Sequence, residues 1–342
     1  MNAEVKRVKN QNINENGFRE SITRFREIGL LAFIIIFAVI IQFNNSKFLS
    51  FENINDLLKN CALYGILAIG MMMVIITRGI DLSIGATLAL AGMTTALTVS
   101  KYPGLPIIGA LGIGIGIGIA CGLIIGLIIA KVKILPIIAT LGMMNIYRGL
   151  TYIISNGAWV SANQMSDSFK SIATGSFLSI NTLIWIVIVL FLIAYYFLEY
   201  SRTGRKIYAV GSNPDSAVIS GINCDKIYLL VYTIMGALSG LAGVLYVSKF
   251  ASAQGDSATG YELSVIAVCV IGGVNIAGGS GRIVGIILGT ILFGIINNAL
   301  PLINVSAFWQ SALQGIIILF AVLLNVFFKR SVDRSNLSRR AI

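Results

Sequence analysis

The sequence predicts an all-α polytopic membrane protein with about ten transmembrane helices, and three observations lead to this fold class. Hydrophobic residues make up 56% of the chain and charged residues only 11%, whereas roughly 25% of residues are charged in soluble domains. Apolar runs of about 20 residues, long enough to cross a bilayer, recur along the chain. Basic residues concentrate in alternate connections. Together these features exclude an ordinary soluble domain.

The candidate spans follow a polar N-terminal segment and are mostly separated by short connections. They consist mainly of aliphatic residues, although the first, fifth and eighth are short or carry polar side chains. No small-residue cleavage site follows the first span, so we expect no cleaved signal peptide. The ten spans are 29–43, 61–77, 83–100, 105–130, 134–154, 182–200, 227–248, 263–278, 284–300 and 309–328.

The distribution of charge predicts which connections face the cytosol. With the N-terminus inside, 19 Lys and Arg residues lie in cytosolic pieces and five in outside loops. This is the positive-inside bias of membrane proteins, and it places both termini in the cytosol. It also accounts for the net charge of +11 without a nucleic-acid partner. The cytosolic pieces are 1–28, 78–82, 131–133, 201–226, 279–283 and 329–342.

The chain therefore divides into three regions. A cytosolic N-terminal segment covers 1–28, a transmembrane domain covers 29–328, and a cytosolic tail covers 329–342. The longest internal cytosolic connection is 201–226. The sizeable outside loops are 44–60, 155–181 and 249–262.

Residue content excludes several chemistries. The chain has no histidine, the commonest metal ligand and acid–base group. Its four cysteines indicate neither a disulfide framework nor a paired metal motif. An ATP-binding P-loop requires a Gly-Lys dipeptide, and none occurs. We therefore expect a non-enzymatic chain with no catalytic residue, no metal site and no cofactor of its own.

Glycine spacing predicts close helix packing. In the fourth span, glycines recur at every fourth residue from Gly114 to Gly126, and the seventh span repeats the spacing at Gly236 and Gly240. Glycines at this spacing line one helix face and let a neighbouring backbone approach. Two glycine-rich connections, 78–85 and 272–282, echo each other faintly, which suggests an internal duplication of the kind transporter folds carry.

The connection 201–226 contains the signals of one short helix over 214–220. Asn213 suits the N-cap, Pro214 the first helical position, and Asp215 adds negative charge to the first turn. Gly221 suits the C′ position. Such a helix is only about 10 Å long and is marginal alone, so we expect another protein to pack against it.

Polar side chains within spans are candidates for the path of a solute, because burying them in a membrane is costly. Amides hydrogen-bond hydroxylated solutes without requiring charge neutralisation. The alternative for each residue is a hydrogen bond between helices, and Arg148 and Asp81 could form a structural pair. The candidates are Asp81, Asn145, Arg148, Asn275, Asn297, Asn298, Gln310 and Asn325. No series of buried carboxylates indicates a proton relay.

A series of polar and glycine-rich motifs recurs in order along the chain: RGIDLSIG at 78–85, TLGMMNIYRGLT at 140–151, YAVGSN at 208–213, SGIN at 220–223, SAQ at 252–254, GYEL at 260–263, GG at 272–273, GRIVG at 281–285 and NN at 297–298. In these motifs and their order the sequence resembles a known family, the membrane permease subunits of bacterial ABC-type importers for sugars, ribose among them, and branched-chain amino acids. The resemblance covers about 29–328.

The resemblance implies a type II importer fold in the bacterial cytoplasmic membrane, with two permease copies, identical or different. It also implies an ABC ATPase subunit that carries ATP and Mg, and an extracytoplasmic sugar-binding protein. The expected solute is ribose or a related monosaccharide. Segment 212–221 resembles the coupling helix that docks on the ATPase, through Ser212, Asn213, Pro214, Asp215, Ala217, Ser220 and Gly221. The Pro214-Asp215 pair departs from the expected glutamate and alanine.

Other functions remain open from the sequence. Nucleosides, a signalling furanose or branched-chain amino acids are alternative solutes for an importer of this kind. A different class is a self-sufficient secondary transporter or channel. For the importer class, we expect ATP-driven closure of the partner ATPase to move the helix over 214–220. The spans around that helix would then switch the pathway from outward to inward access.

Overall fold

The computed structural model describes residues 27–302, together with the single positions 306, 309, 312, 315, 316 and 319. Within 27–302 the regular secondary structure is helical apart from one hairpin of two-residue strands, in which Ser176 pairs with Asn181. The helices are α1 (Glu27–Asn44), α2 (Phe51–Ile76), α3 (Ile84–Lys101), α4 (Ile107–Leu127), α5 (Pro136–Ser155), α6 (Asp167–Thr174), α7 (Thr182–Tyr200), α8 (Arg202–Ser212), α9 (Pro214–Ile219), α10 (Cys224–Phe250), α11 (Tyr261–Ile271) and α12 (Ile283–Leu302). The strands are β1 (Ser176–Phe177) and β2 (Ile180–Asn181), and a π-helical turn, Ile128–Val132, extends α4.

Seven of the described helices are long and apolar enough to cross a membrane: α1, α2, α4 with its π-helical turn, α5, α7, α10 and α12. The predicted count of about ten is therefore not confirmed. The predicted span 83–100 is helix α3, whose threonines and Lys101 reduce its hydropathy. The predicted span 263–278 is helical only as α11, because Gly272 ends the helix. The last predicted span, 309–328, lies outside the continuously described residues.

Helix α2 begins ten residues earlier than the predicted span, at Phe51. The Ser50 side chain accepts a hydrogen bond from the Asn53 amide and caps the first turn, where Glu52 adds a favourable negative charge. Every residue from Ala68 to Ile76 is buried, so α2 lies inside the bundle. Helix α10 packs against α4, α3 and α2 in the same core.

The predicted glycine packing is confirmed between α4 and α10. A Cβ atom added at Gly118 would collide with the carbonyl oxygen of Gly236, and one added at Gly240 with that of Gly114. On the other face of α4, a Cβ at Gly116 would meet nothing within 4 Å. The two helices therefore touch backbone to backbone along one face, as small residues permit in membrane helices.

The connections group at two ends of the bundle. At one end, which we call the α9 end, Lys133 contacts Asp225, and the Tyr208 hydroxyl donates to the carbonyl of Gly281 at 2.9 Å. All four residues lie in connections that the sequence predicts to be on the cytosolic side. At the opposite end, loop 155–166 meets loop 251–260 through a β-bridge between Val160 and Ala253. The grouping agrees with the predicted alternation of the connections.

The glycine contact predicts a position-specific effect of added methyl groups. Gly118→Ala should lower the free energy of unfolding by about 1–3 kcal/mol, since the backbone of α10 must move to admit the Cβ. Gly116→Ala is the matched control on the open face and should not destabilise the protein. Thermal unfolding of the two purified variants measures the difference. Equal stabilities would contradict backbone contact between α4 and α10.

Candidate functional site

Helix α9 is defined by its caps. The Asn213 side-chain oxygen accepts a hydrogen bond from the Ser216 amide at 3.0 Å, and Pro214 occupies the first helical position. At the other end, Gly221 adopts a φ of +78°. The backbone amide of Gly221 donates to the carbonyl of Val218, and that of Ile222 to the carbonyl of Ala217, at 2.9 Å each. This pair of hydrogen bonds is a Schellman motif. The helix predicted over 214–220 is confirmed, ending one residue earlier.

The surface of α9 carries an uncovered apolar pair. Ala217 is the buried residue of the helix, with 4% of its surface exposed. Val218 and Ile219 are 60% and 87% exposed. The predicted site residues Ser212, Asn213, Asp215, Ser220 and Gly221 are exposed, and Pro214 is partly buried. Helix α9 thus lies on the surface of the described structure, attached by one small side chain and its caps.

Arg78 anchors the segment that leads into α9. Its Nε donates to the carbonyl of Gly211 at 2.7 Å and its Nη2 to that of Ser212 at 2.6 Å. These carbonyls end α8, where unpaired backbone oxygens carry partial negative charge, so a guanidinium is a favourable cap. Arg78 adopts a φ of 65°, a conformation that costs a non-glycine residue about 1–3 kcal/mol.

The loop 272–282 joins the same cluster. The Gly279 amide donates to the carbonyl of Ile76, at the end of α2, at 2.9 Å. Gly279 itself packs against the backbone of Gly211 and Ser212, and a side chain on Gly211 would collide with the carbonyl of Ile76. We call Arg78, Tyr208, Gly211, Gly279 and Gly281 the three-way junction, because they connect α2, α8 and the loop before α12.

Tyr208 completes the three-way junction as a neutral donor. Its hydroxyl donates to the carbonyl of Gly281. Burial raises the pKa of this phenol above its ordinary value, so it keeps its proton. Sequence reasoning did not select Arg78 or Tyr208 as site residues. A usable signal existed for Arg78, since it is the only basic residue in connection 78–85 and lies two residues after the apolar run that ends at Ile76.

Asp81 and Asn275 shape their own connections. The Asp81 carboxylate accepts from the amide of Ser83 at 2.8 Å and from its hydroxyl at 2.6 Å, which fixes the turn into α3. Burial raises the pKa of Asp81 to about 6, and the hydrogen bonds from Ser83 oppose this shift. The Asn275 side chain donates to the carbonyl of Gly278 and accepts from the amide of Ala277, closing loop 272–282.

The suggested pair of Arg148 and Asp81 is wrong. Both described hydrogen bonds of Arg148 come from Nη1, which donates to the carbonyls of Gly255 and Ser257 at 2.8 Å each. These carbonyls belong to loop 251–260, at the opposite end from α9. Arg148 therefore holds a loop against α5.

The remaining amide candidates separate into two kinds. Asn298 exchanges hydrogen bonds of 2.9 Å with Asn53 and so joins α12 to α2. Asn297 is partly buried and donates to the carbonyl of Phe293 on its own helix. Asn145 is exposed on the outer face of α5 and donates to the carbonyl of Leu141. Gln310 and Asn325 lie outside the described residues.

Among the described residues, no group of three His, Cys, Asp or Glu side chains is placed to hold a metal ion.

Comparison with known proteins decides the family. A family model described as the permease component of a branched-chain amino acid transport system matches residues 53–322. The chain belongs to this permease family. Its members are transport components that lack an ATPase site, so the permease is not an enzyme.

Curated relatives cover most of the permease. The ribose import permease protein RbsC of Escherichia coli K12 is 38% identical over 300 residues, covering 86% of the permease and 92% of the relative. RbsC of Bacillus subtilis 168 is 38% identical over 325 residues, covering 95% and 98%. The L-arabinose transport system permease protein AraH of E. coli K12 is 33% identical over 302 residues, covering 88% and 90%. No solved structure matches the permease.

The Arg78 anchor predicts a local change in hydrogen exchange. Arg78→Lys keeps the charge but loses the forked geometry that reaches two carbonyls. Hydrogen bonds from charged donors contribute about 1.5–3 kcal/mol, so amides of 211–217 should exchange at least tenfold faster. Exchange mass spectrometry of the permease in lipid nanodiscs measures this. Arg202→Lys, at an exposed position of α8, is the control, and equal exchange in both variants would contradict the anchor.

Proposed function

We propose that the permease is the membrane-spanning subunit of an ATP-driven, binding-protein-dependent sugar importer, with ribose or a related monosaccharide as its solute. One observation carries this conclusion. Ribose import permeases match the chain at 38% identity over 92–98% of their own length. The arabinose permease follows at 33%, which favours a pentose.

The ATPase is proposed to dock on α9. Val218 and Ile219 are an apolar pair among the otherwise polar exposed side chains of α9, and such a pair is stabilised when a partner covers it. The sequence has no P-loop, so hydrolysis requires a separate subunit that holds ATP and Mg. The permease itself then needs no cofactor. Both caps of α9 preorganise it, which reduces the entropy lost on docking.

The three-way junction supplies the path by which movement of α9 reaches the spans. Arg78 ties the end of α8 to the end of α2, and Gly279 and Tyr208 tie both to the loop that enters α12. Closure of the ATPase would pull on α9 and shift these helix ends together. In this mechanism, that shift changes solute access from one face of the membrane to the other.

A second permease copy is proposed to cover the exposed face of α5. That face combines large apolar side chains with Gly142 and Asn145. An amide facing lipid is costly, so this face fits a water-filled path between two copies better than a lipid contact. Asn145 becomes the first candidate of the set to touch solute. Asn297 and Gln310 stay predictions as path residues, whereas the described contacts of Asp81, Arg148, Asn275 and Asn298 support structural roles.

The proposed orientation places the α9 end and both termini in the cytosol of a bacterium, with the permease in the cytoplasmic membrane. The described start of α1 supports this, since Glu27 binds Arg282 at 3.4 Å at the α9 end. The opposite end would receive the extracytoplasmic sugar-binding protein. Ten spans result if α3, the α11 region and 309–328 are added to the seven long apolar helices.

Reconstitution tests the function as a whole. Proteoliposomes containing the permease, its ATPase and loaded binding protein should accumulate labelled ribose only when ATP is supplied. Labelled leucine presented in the same way should not accumulate. Ribose uptake by the permease alone would overturn the importer and favour a self-sufficient transporter.

Docking through α9 predicts the effect of a charge in the apolar pair. Ile219→Asp should reduce uptake and ATPase co-purification at least tenfold, because the carboxylate would be desolvated under the partner. The amount of permease in the membrane should stay unchanged, since Ile219 is exposed. Leu178→Asp, on a side chain 72% exposed in the turn between β1 and β2, is the matched control. Normal uptake by the Ile219 variant would contradict docking here.

A further inference from the structure

The end opposite α9 contains a cavity of about 390 Å³. It lies between the last turn of α10, loop 251–260 and the first residue of α11, and we call it the outer cavity. Tyr246, Phe250 and Tyr261 contribute aromatic rings to its wall, and Gln254 and Asp256 contribute polar side chains. Its volume falls within the range of small-molecule sites. No residue predicted from the sequence as a path candidate lines it.

The aromatic wall is braced from behind. The rings of Tyr246 and Phe250 lie 4.6 Å apart, and Tyr246 meets Tyr261 edge to face at 5.9 Å. Tyr64 of α2 stacks on Tyr261 with ring centroids 4.8 Å apart. Such ring pairs are stabilising in their own right. The wall therefore keeps its shape without a ligand.

The loop that closes the outer cavity is also fixed. Arg148 binds the carbonyls of Gly255 and Ser257, and the Ser257 hydroxyl accepts from the backbone N–H of Gln254 at 3.1 Å. The hydroxyl of Thr259 donates to the carbonyl of Asp256 at 2.6 Å. A loop ordered in advance loses little entropy when a ligand binds. The contact with Arg148 also places the loop beside α5, whose exposed face carries Asn145.

The polar groups of the outer cavity are available to a ligand. Within the described residues, the Asp256 carboxylate makes no hydrogen bond and no ion pair. The Gln254 amide nitrogen donates to the Ser252 hydroxyl at 3.2 Å, and an amide of this kind retains a second N–H and its oxygen. A carboxylate and an amide together accept from and donate to neighbouring hydroxyl groups.

One charged side chain, that of Asp256, lines the outer cavity within the described residues. Arg148 interacts electrostatically with this carboxylate and with that of Glu262, and the Lys249 ammonium lies 5.0 Å from the ring centroid of Phe250. These two cations oppose the negative charge of the Asp256 carboxylate, so a ligand needs no positive charge to bind there. Aromatic rings next to hydroxyl-binding groups match a ligand with one apolar C–H face and several hydroxyls.

We propose that the outer cavity binds a neutral polyhydroxylated solute of monosaccharide size through Asp256, Gln254 and the aromatic wall. It receives the solute at the mouth of the permease, beside α5, before the solute enters the membrane. The inference rests on the proposed function for the direction of transport. Binding itself is a property of this chain and is measurable without partners.

Saturation-transfer NMR with D-ribose and the full permease in lipid nanodiscs tests the site. Wild type should give ribose signals, and Asp256→Ala should reduce the affinity about tenfold or more, since a hydrogen bond to a charged group is lost. Asp167→Ala is the matched control, because Asp167 is an exposed carboxylate at the same end that pairs with Lys170. Phe250→Ala should weaken binding, and Phe250→Tyr should retain it.

Each outcome decides the proposal. Equal ribose signals from wild type and Asp256→Ala, or signals from leucine as strong as those from ribose, would overturn it. The uptake assay distinguishes failure of the outer cavity as a solute site from failure of the proposed importer function. If wild type with its partners accumulates ribose and the Asp256 variant does so at the same rate, the outer cavity is not a solute site but the importer function holds. If no sugar is accumulated while ribose binding depends on Asp256, the site holds and the proposed function fails.

Discussion

Close approach of backbones at glycine is the constraint on which this permease depends. Inside a bilayer, lipid tails are as apolar as leucine, so helices gain little from hydrophobic association and are held by packing at short range. Helix α10 meets α4 through Gly118 and Gly236, and it meets α3 where Gly243 faces the carbonyl of Leu88. The same device holds α12 to α11, through Gly285 and the carbonyl of Gly272. Side chains at these positions would separate the helices.

Local signals in the sequence were sufficient for helix α9 and for the faces of the glycine-rich helices. The caps at Asn213 and Gly221 act within four residues, and the Gly114 series repeats within one helix, so both are visible in a single stretch of chain. Hydropathy was less reliable. Helix α3 is buried among other helices and tolerates threonines, and α11 is interrupted at Gly272, so neither meets the length and hydropathy of a simple span.

Functional side chains were harder to predict because their partners are distant in sequence. Arg78 binds carbonyls more than 130 residues later in the chain, and no periodicity indicates that pairing. The sequence identifies polar residues in spans, but most of these side chains form hydrogen bonds to other groups of the protein. Asn298 bonds to Asn53, and Arg148 binds a loop. Only the surroundings of each group separated a structural amide from one that faces outward, as Asn145 does.

The three-way junction also has a consequence for biosynthesis. The carbonyl that Arg78 binds at Gly211 is translated 133 residues after it, which at 5–20 residues per second corresponds to roughly 7 to 27 seconds. Gly279 and Gly281 emerge later still. Helices α2 through α7 are therefore synthesised before the end of α2 can acquire its contacts with α8, and the loop before α12 completes the cluster last. A chain whose synthesis stops between α8 and α12 would contain the residues for the contact of Arg78 with α8 and lack Gly279 and Gly281, which complete the junction.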